Sequence, residues 1–286
     1  IKPSYMETAL TEIRNQQQTT WNTFSPGWKK WDENTMSFLQ PMGDAIVSAL
    51  EIKEKDRVLD IASGTGEPGL TIAGIAKNGS VTALDISDKM LQTAKEKAAQ
   101  KGIQNFTTQQ GDACEIPFEN ESFDKVSCRM GFMFFPDMQL AANEMFRVLK
   151  QGGKIAVSVW YSPQKNFWIG SVMSVINKNI PTPAPPAGAP GMFRCAQPGL
   201  MKSIFQNAGF GNVKEEEISG KNRYDDFDDM WMQMNDIAAP VVNAMSRSDD
   251  TTKQKIKTEL EQMATPHLTD KGLLLDFSAL VISATK

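Results

Sequence analysis

The sequence predicts a doubly wound α/β sheet with helical additions, and three observations point there. Short apolar runs alternate with helical patterns between Arg57 and Trp160. A glycine turn joins the first run to a helix, and polar residues collect just beyond the ends of the runs. Such alternation implies parallel β-α units with right-handed crossovers. Arg57–Ala62 (RVLDIA) reads as a buried strand and Gly69–Ala76 as the helix after it, with Pro68 suited to that helix's first turn. Ser80–Asp85 is the second strand. Ser87–Lys101 is the next helix, with Ser87 as N-cap. Phe106–Gln110 and Phe123–Cys128 are the third and fourth strands, Leu140–Leu149 is a helix stopped by Gln-Gly-Gly, and Lys154–Trp160 is the fifth strand. Ligands of such sheets bind beyond the carboxyl ends of the strands, so Asp60, Asp85, Gly111–Asp112 and Cys128–Arg129 are expected to meet in one crevice.

The additions lie outside this core. Residues 1–50 read as a helical cap carrying Trp21, Trp28 and Trp31, and residues 51–161 form the ligand-binding core. Residues 162–200 read as a lid insertion whose Pro181–Pro190 stretch is too proline-rich for a helix or a central strand. Residues 201–286 supply a helix at Leu200–Ala208, a strand at Asn212–Ile218, a helical insertion near 224–264 and a last strand at Leu273–Ala284.

Composition narrows the chemistry. With 286 residues and 41% hydrophobic content, there is material for one large core. A net charge of −4 opposes a nucleic-acid partner, which needs clustered basic charge. Cys114, Cys128 and Cys195 are too few and scattered for a disulfide framework, and the polar first twenty residues lack the apolar segment of a secretory signal. No apolar run approaches the roughly 18 residues of a membrane span. A cytoplasmic protein is therefore expected. The single histidine, His267, rules out a His-rich metal site and reads as a surface residue beside Pro266; no metal is expected.

Gly64, Gly66 and Gly69 have the G-x-G-x-x-G spacing of a dinucleotide site, and Asp85 follows about twenty residues on. Charge separates two candidate ligands. Asp60 ends the first strand, and no Lys or Arg falls between Val58 and Ile75. A carboxylate there would repel a pyrophosphate by a few kcal/mol at an effective dielectric near ~20. It would attract the sulfonium and ammonium of S-adenosylmethionine. Asp85 suits either ligand, since both carry a ribose diol; capping the Ser87 helix is its other possible role.

Four stretches, VLDIASGTG, ALDIS, GDACEIPFENESFDKV and EMFRVLKQGGKIAVSVW, occur in the order and spacing of the motifs of class I S-adenosylmethionine-dependent methyltransferases. Over Val58–Trp160 the chain resembles that family, and within it the ubiquinone/menaquinone C-methyltransferase-like branch. The resemblance implies a Rossmann-like, seven-stranded, mostly parallel sheet whose last strand enters antiparallel beside the fifth. It also implies S-adenosylmethionine as cofactor. Asp60 and the backbone of Ala62, Ser63, Gly64 and Gly66 would hold its methionine end. Asp85 would bind the ribose, Ile86 would pack on adenine, Asp112 would accept from the adenine amino group and Ala113 would add a backbone contact. The Cys128–Arg129–Met130 backbone would line the pocket beside the methyl group. Ala62 stands where the commonest motif has glycine, and CRMGFMFFPD lacks the histidine some relatives carry there, which removes a histidine base.

Methyl transfer is an in-line displacement that mainly needs alignment and exclusion of water. No catalytic residue is assigned: Asp137 reads as an N-cap, and nothing in the spacing promotes Tyr161 or Tyr224 as pocket hydroxyls. Met130, Phe132, Met133 and Trp160 are the candidate acceptor-side residues, with Asn166–Ile176 and Asp228–Met234 adding aromatic and thioether surface or packing the lid. The expected partner is a small apolar or aromatic acceptor. An NAD-dependent oxidoreductase and a non-catalytic S-adenosylmethionine-binding domain are the alternatives.

Overall fold

The computed structural model describes residues 5–180, 186 and 188–286. Its sheet is built from β1 (Arg57–Ile61), β2 (Ser80–Asp85), β3 (Phe106–Gln110), β4 (Phe123–Arg129), β5 (Leu149–Trp160), β6 (Gly211–Tyr224), β7 (Leu268–Thr269) and β8 (Gly272–Thr285). The order is β3-β2-β1-β4-β5-β8-β6, with the two-residue β7 paired to β8. The first five strands are mutually parallel, and β8 runs antiparallel between β5 and β6. Seven strands thus form the main path, as expected, and β7 is an unforeseen eighth. Helices α1 (Tyr5–Lys30), α2 (Asp32–Leu50), α3 (Gly69–Ile75), α4 (Asp88–Gln100) and α5 (Met138–Val148) precede β5 or connect the strands. Then come α6 (Phe167–Asn179), α7 (Leu200–Asn207), α8 (Phe227–Ile237), α9 (Ala239–Ser246) and α10 (Asp250–Ala264).

Local chemistry explains most boundaries. Ser87 accepts from the Met90 amide at 3.1 Å and Asp137 from the Leu140 amide at 2.9 Å, so both act as N-caps. The strand at Lys154 starts earlier than expected. Leu149 already pairs with Phe123 across a register shift, and Gln151-Gly152-Gly153 continue the strand instead of merely stopping α5. The loop expected at 181–190 lies, for 181–185 and 187, outside the described residues.

The largest departure concerns β6, expected to stop at Ile218. Trp160 of β5 is level with Ala279 of β8, which is level with Ile218 of β6. Beyond that row β6 and β8 continue as a ribbon to the Tyr224–Leu273 pair, about 20 Å further at ~3.3 Å per residue. SGKNRY looks too polar for a core strand, yet Asn222 and Tyr224 are buried and satisfy each other, Asn222 Nδ2 donating to the Tyr224 hydroxyl at 2.7 Å. The inward face of β8 here is Leu273, Leu275 and Phe277. The ribbon rises above the carboxyl edge of the sheet and shares one apolar core with residues of α6, α8, α9 and α10.

α1 and α2 reach the same edge from the other side. Lys30 and the Trp31 indole N–H both donate to Asp236 of α8, at 2.7 and 2.8 Å. Gly27, in the last turn of α1, is glycine because a Cβ there would lie 2.3 Å from the Asp236 carbonyl oxygen. Among the described residues, no helix is long and apolar enough to cross a membrane.

Candidate cofactor and acceptor site

The carboxyl edge of β1, β2 and β4 opens into a cleft lined by the glycine turn, the ends of β2 and β4 and the first two helices. Its floor is the glycine turn. Ala62, Gly64 and Gly66 all have positive φ (53°, 52° and 108°), which folds the chain back from β1 into α3. At Gly66 a side chain would collide with Leu70 at 2.8 Å; at Gly64 nothing stands within 4 Å, so only the backbone conformation calls for glycine. The turn is tied to the end of β2, the Gly64 amide donating to Asp85 Oδ2 at 2.8 Å and the Ser87 amide to Asp85 Oδ1 at 2.9 Å. Asp85 lines the cleft while only 7% exposed, and burial pushes its carboxyl up to about 6.

Eight of the ten residues expected around the donor line this cleft: Ala62, Ser63, Gly64, Asp85, Ile86, Asp112, Ala113 and Arg129. Gly66 stays behind the turn and Asp60 does not reach the cleft. The Asp60 carboxylate is fully buried beneath the turn, accepting from the Gly69 amide at 3.0 Å and the Ser127 hydroxyl at 2.7 Å. Gly69 is glycine because a Cβ there would stand 2.8 Å from Asp60 Oδ2. The expected direct attraction between Asp60 and a cationic ligand is thereby corrected: the carboxylate secures the loop from below.

Burial pushes the Asp60 carboxyl up to about 7, against the opposing pull of Ser127, Arg129 and Gly69. The folded state therefore holds this proton more tightly than the unfolded chain. The resulting stability is full below pH ~4 and is lost as pH rises through about 7. Asp60→Asn should remove that loss. Its stability relative to wild type is expected to climb between about pH 4 and pH 7, by up to about 1.4 kcal/mol per pH unit, and to level off above that. Parallel melting curves for the two proteins across this range would show that Asp60 does not titrate there.

The roof comes from α1 and α2, which place Gln17, Trp21, Trp28, Met36 and Leu39 on the cleft. Trp21 and Trp28 lie two turns apart on one helical face and meet edge to face at 6.1 Å, with Trp21 also against Phe134 at 5.2 Å. Trp31, expected beside them, points instead to Asp236. α1 is fixed over the core by Arg14 Nε on Asp112 Oδ2, by Gln18 Nε2 on the Ile86 carbonyl at 3.2 Å and by the Ser87 hydroxyl on Asn22 Oδ1 at 2.6 Å. Asp32, opening α2, accepts from Thr65 of the glycine turn at 2.7 Å and from Lys97 of α4. Asp112, expected to meet adenine, therefore already carries Arg14 on one oxygen and the Cys114 amide on the other.

On the acceptor side only Met130 lines the cleft as expected. Phe132, Met133 and Trp160 are core: Phe132 packs against Phe135 and Phe205, and Trp160 stacks on Phe38 at 5.6 Å. The short turn after Met130 keeps Phe132 and Met133 in the core and puts Gly131, Phe134, Phe135 and Pro136 on the wall. Arg194 braces it from behind by donating to the carbonyls of Phe135 and Pro136. α6 and α8 pack the core and do not touch the cleft, Tyr224 is buried away from it, and His267 packs in a tilted arrangement against Phe167 at 4.3 Å. Two buried polar atoms of cleft-lining residues have no protein partner among the described residues, the Trp28 indole nitrogen and the Ser63 hydroxyl. Buried donors are ordinarily satisfied, so their freedom fits a wall built to receive a polar ligand.

Arg14, Gln17, Glu67 and Pro136 were not foreseen as site residues, whereas the stretch Met130–Phe135 was expected to border the crevice as a whole. Sequence offered one signal for α1, the spacing of seven from Arg14 to Trp21 to Trp28.

Known proteins agree with this architecture. The methyltransferase-domain family profile matches residues 52–209. An uncharacterised protein of Mycobacterium tuberculosis is 36% identical over 152 residues, 53% of each chain, so the chain spans about half the length of the first curated relatives it matches. A demethylmenaquinone methyltransferase of Staphylococcus aureus is 30% identical over 212 residues, 67% of this chain and 85% of the relative. The YcgJ protein of Bacillus subtilis has a similar fold, with a TM-score of 0.59 at 19% identity over 85% of this chain and 97% of that one. With the profile crossing the glycine turn, Asp85, Asp112 and the Met130 wall, the chain belongs to the methyltransferase-domain family, the class I S-adenosylmethionine-dependent methyltransferases.

Proposed function

We propose that the protein moves the methyl group of S-adenosylmethionine to a small acceptor with an apolar or aromatic face. The observation that carries this reading is the division of one cleft. Asp85, Asp112 and the glycine turn supply polar groups at one side, and Trp21, Trp28, Met130 and Phe134 supply apolar surface at the other. The residues fit the donor on structural grounds: Asp85 keeps free lone pairs toward the cleft after accepting two amides, enough for a ribose diol. Bound S-adenosylmethionine supplies an electrophilic methyl group.

The chain's own contribution is positional. Among the described residues no histidine, lysine, cysteine or tyrosine lines the cleft, and its carboxylates are hydrogen-bonded: Glu67 to Thr71, Asp85 to the turn, and Asp112 to Arg14. Alignment of the acceptor against the methyl group by Trp21, Trp28 and Phe134, with water displaced by the α1–α2 roof, is the available source of acceleration. An acceptor that must lose a proton would bring an acidic one or use water. A nucleic-acid acceptor is disfavoured by the net charge of −4. Three buried free thiols suit the reducing cytoplasm.

Calorimetric titration tests the donor, with S-adenosylmethionine and S-adenosylhomocysteine expected to bind and NAD not. Release of S-adenosylhomocysteine across a panel of quinols, phenols and other aromatic acceptors then tests transfer. Donor binding with no turnover on any acceptor class would favour a non-catalytic ligand-binding role.

A further inference from the structure

Arg129 ends β4 at the junction of two clefts. With Met36 and Glu67 it lines both the main cleft and a polar groove bounded by α2, α3 and α4. Its guanidinium is poorly served for a group with five N–H donors. One Nη donates to the Leu39 carbonyl at 3.4 Å and the other lies 3.0 Å from the Met36 thioether sulfur, a weak acceptor. No carboxylate among the described residues stands within 4 Å of it. The three carboxylates whose field it feels are committed elsewhere: Asp60 to Gly69 and Ser127, Glu67 to Thr71 and Lys101, Asp32 to Thr65 and Lys97. Gly43 of α2 lies against the guanidinium, where a Cβ would be 3.6 Å from Nη1. A half-buried guanidinium without an anionic partner, facing a ligand cleft, is an incomplete ion pair.

We infer that the Arg129 side chain is the carboxylate subsite of this cleft. It would receive a ligand carboxylate through paired N–H donors, a geometry that guanidinium and carboxylate share. Two sources have this chemistry: the α-carboxylate of the methyl donor, and an acidic group on the acceptor. The inference rests on the proposed function and deepens it, because a side chain takes over work that the resemblance assigned to the turn's backbone.

Two titration arms separate the sources, on wild type, Arg129→Gln and the charge-retaining Arg129→Lys, each first shown folded by thermal melting. The first arm compares S-adenosylhomocysteine with its decarboxylated analogue. If the donor's carboxylate is bound, wild type prefers the intact ligand by roughly ten- to a hundredfold. Arg129→Gln should abolish that preference while holding the analogue as well as wild type does, and Arg129→Lys should restore part of it. The second arm compares benzoate with benzamide on protein saturated with S-adenosylhomocysteine. An Arg129-dependent preference for benzoate there assigns the subsite to the acceptor. Absence of an Arg129-dependent carboxylate preference in both arms overturns the inference. If wild type does not bind S-adenosylhomocysteine, the functional reading falls, and the benzoate arm on ligand-free protein still decides whether Arg129 recognises a carboxylate.

Discussion

Asp85→Ala is expected to weaken S-adenosylmethionine binding by about 1–3 kcal/mol for the lost bonds to the ribose alone. The structure makes the total larger. Asp85 also accepts from the Gly64 and Ser87 amides, so its removal leaves two donors unpaired and loosens the turn that supports the ligand. Calorimetry should show at least a hundredfold loss, with Asp85→Asn intermediate because one carbonyl oxygen remains. The pH dependence follows from the carboxyl being pushed up to about 6 by burial. Below that pH the free protein holds a proton on Asp85, and a protonated acid is a poorer acceptor for hydroxyl donors. Donor affinity should therefore fall as pH drops through about 6, by up to about tenfold per unit, and Asp85→Asn should flatten that part of the curve. Unchanged affinity in a folded Asp85→Ala protein would remove this residue from the site.

The second large effect is expected at Gly131. A Cβ there would lie 2.3 Å from the Ala62 Cβ and 3.2 Å from the Cys128 sulfur, pressing the end of β4 against the glycine turn. Ala62 has little room to yield, since it already holds a φ of 53°. Overpacking of this kind costs about 1–3 kcal/mol, and here it also displaces two residues of the cleft wall. Gly131→Ala should lower the melting temperature by several degrees, at ~2–4 °C per kcal/mol, and weaken donor binding together with it. Gly74→Ala is the matched control. It is exposed in α3 with nothing within 4 Å of an added Cβ, so a gain of about 0.5–1 kcal/mol is expected. Equal melting temperatures for wild type and Gly131→Ala would mean that the turn can move away from β4 without cost.

The parts of the molecule differ in how legible they were. The five parallel strands, their helices and the Ser87 and Asp137 caps are local features, each carried by periodicity or by one side chain bonding a nearby amide. So are the glycine turn and the carboxylate after β2. The β6–β8 ribbon was hidden because Asn222 and Tyr224 read as polar until each is seen to satisfy the other inside the cap. Phe132 and Met133 looked like acceptor contacts because order along the chain does not say which residues of a tight turn face inward; the turn sends Phe134 and Phe135 there instead.

By itself the sequence determined the parallel α/β core and the position of its ligand edge, because strand period and glycine spacing are properties of contiguous residues. The methyl donor was legible in the resemblance of four ordered motifs, not in the charge of Asp60. Tertiary structure decided what each charge does. Asp60 and Asp85 end adjacent parallel strands, yet one is sealed under Gly69 and the other opens to the cleft. Arg129 reads as one more strand-end residue until α2 arrives and offers it only a carbonyl and a thioether. Whether a charged side chain supports the fold or waits for a ligand depends on the groups packed around it, and those come from segments 90 or more residues away.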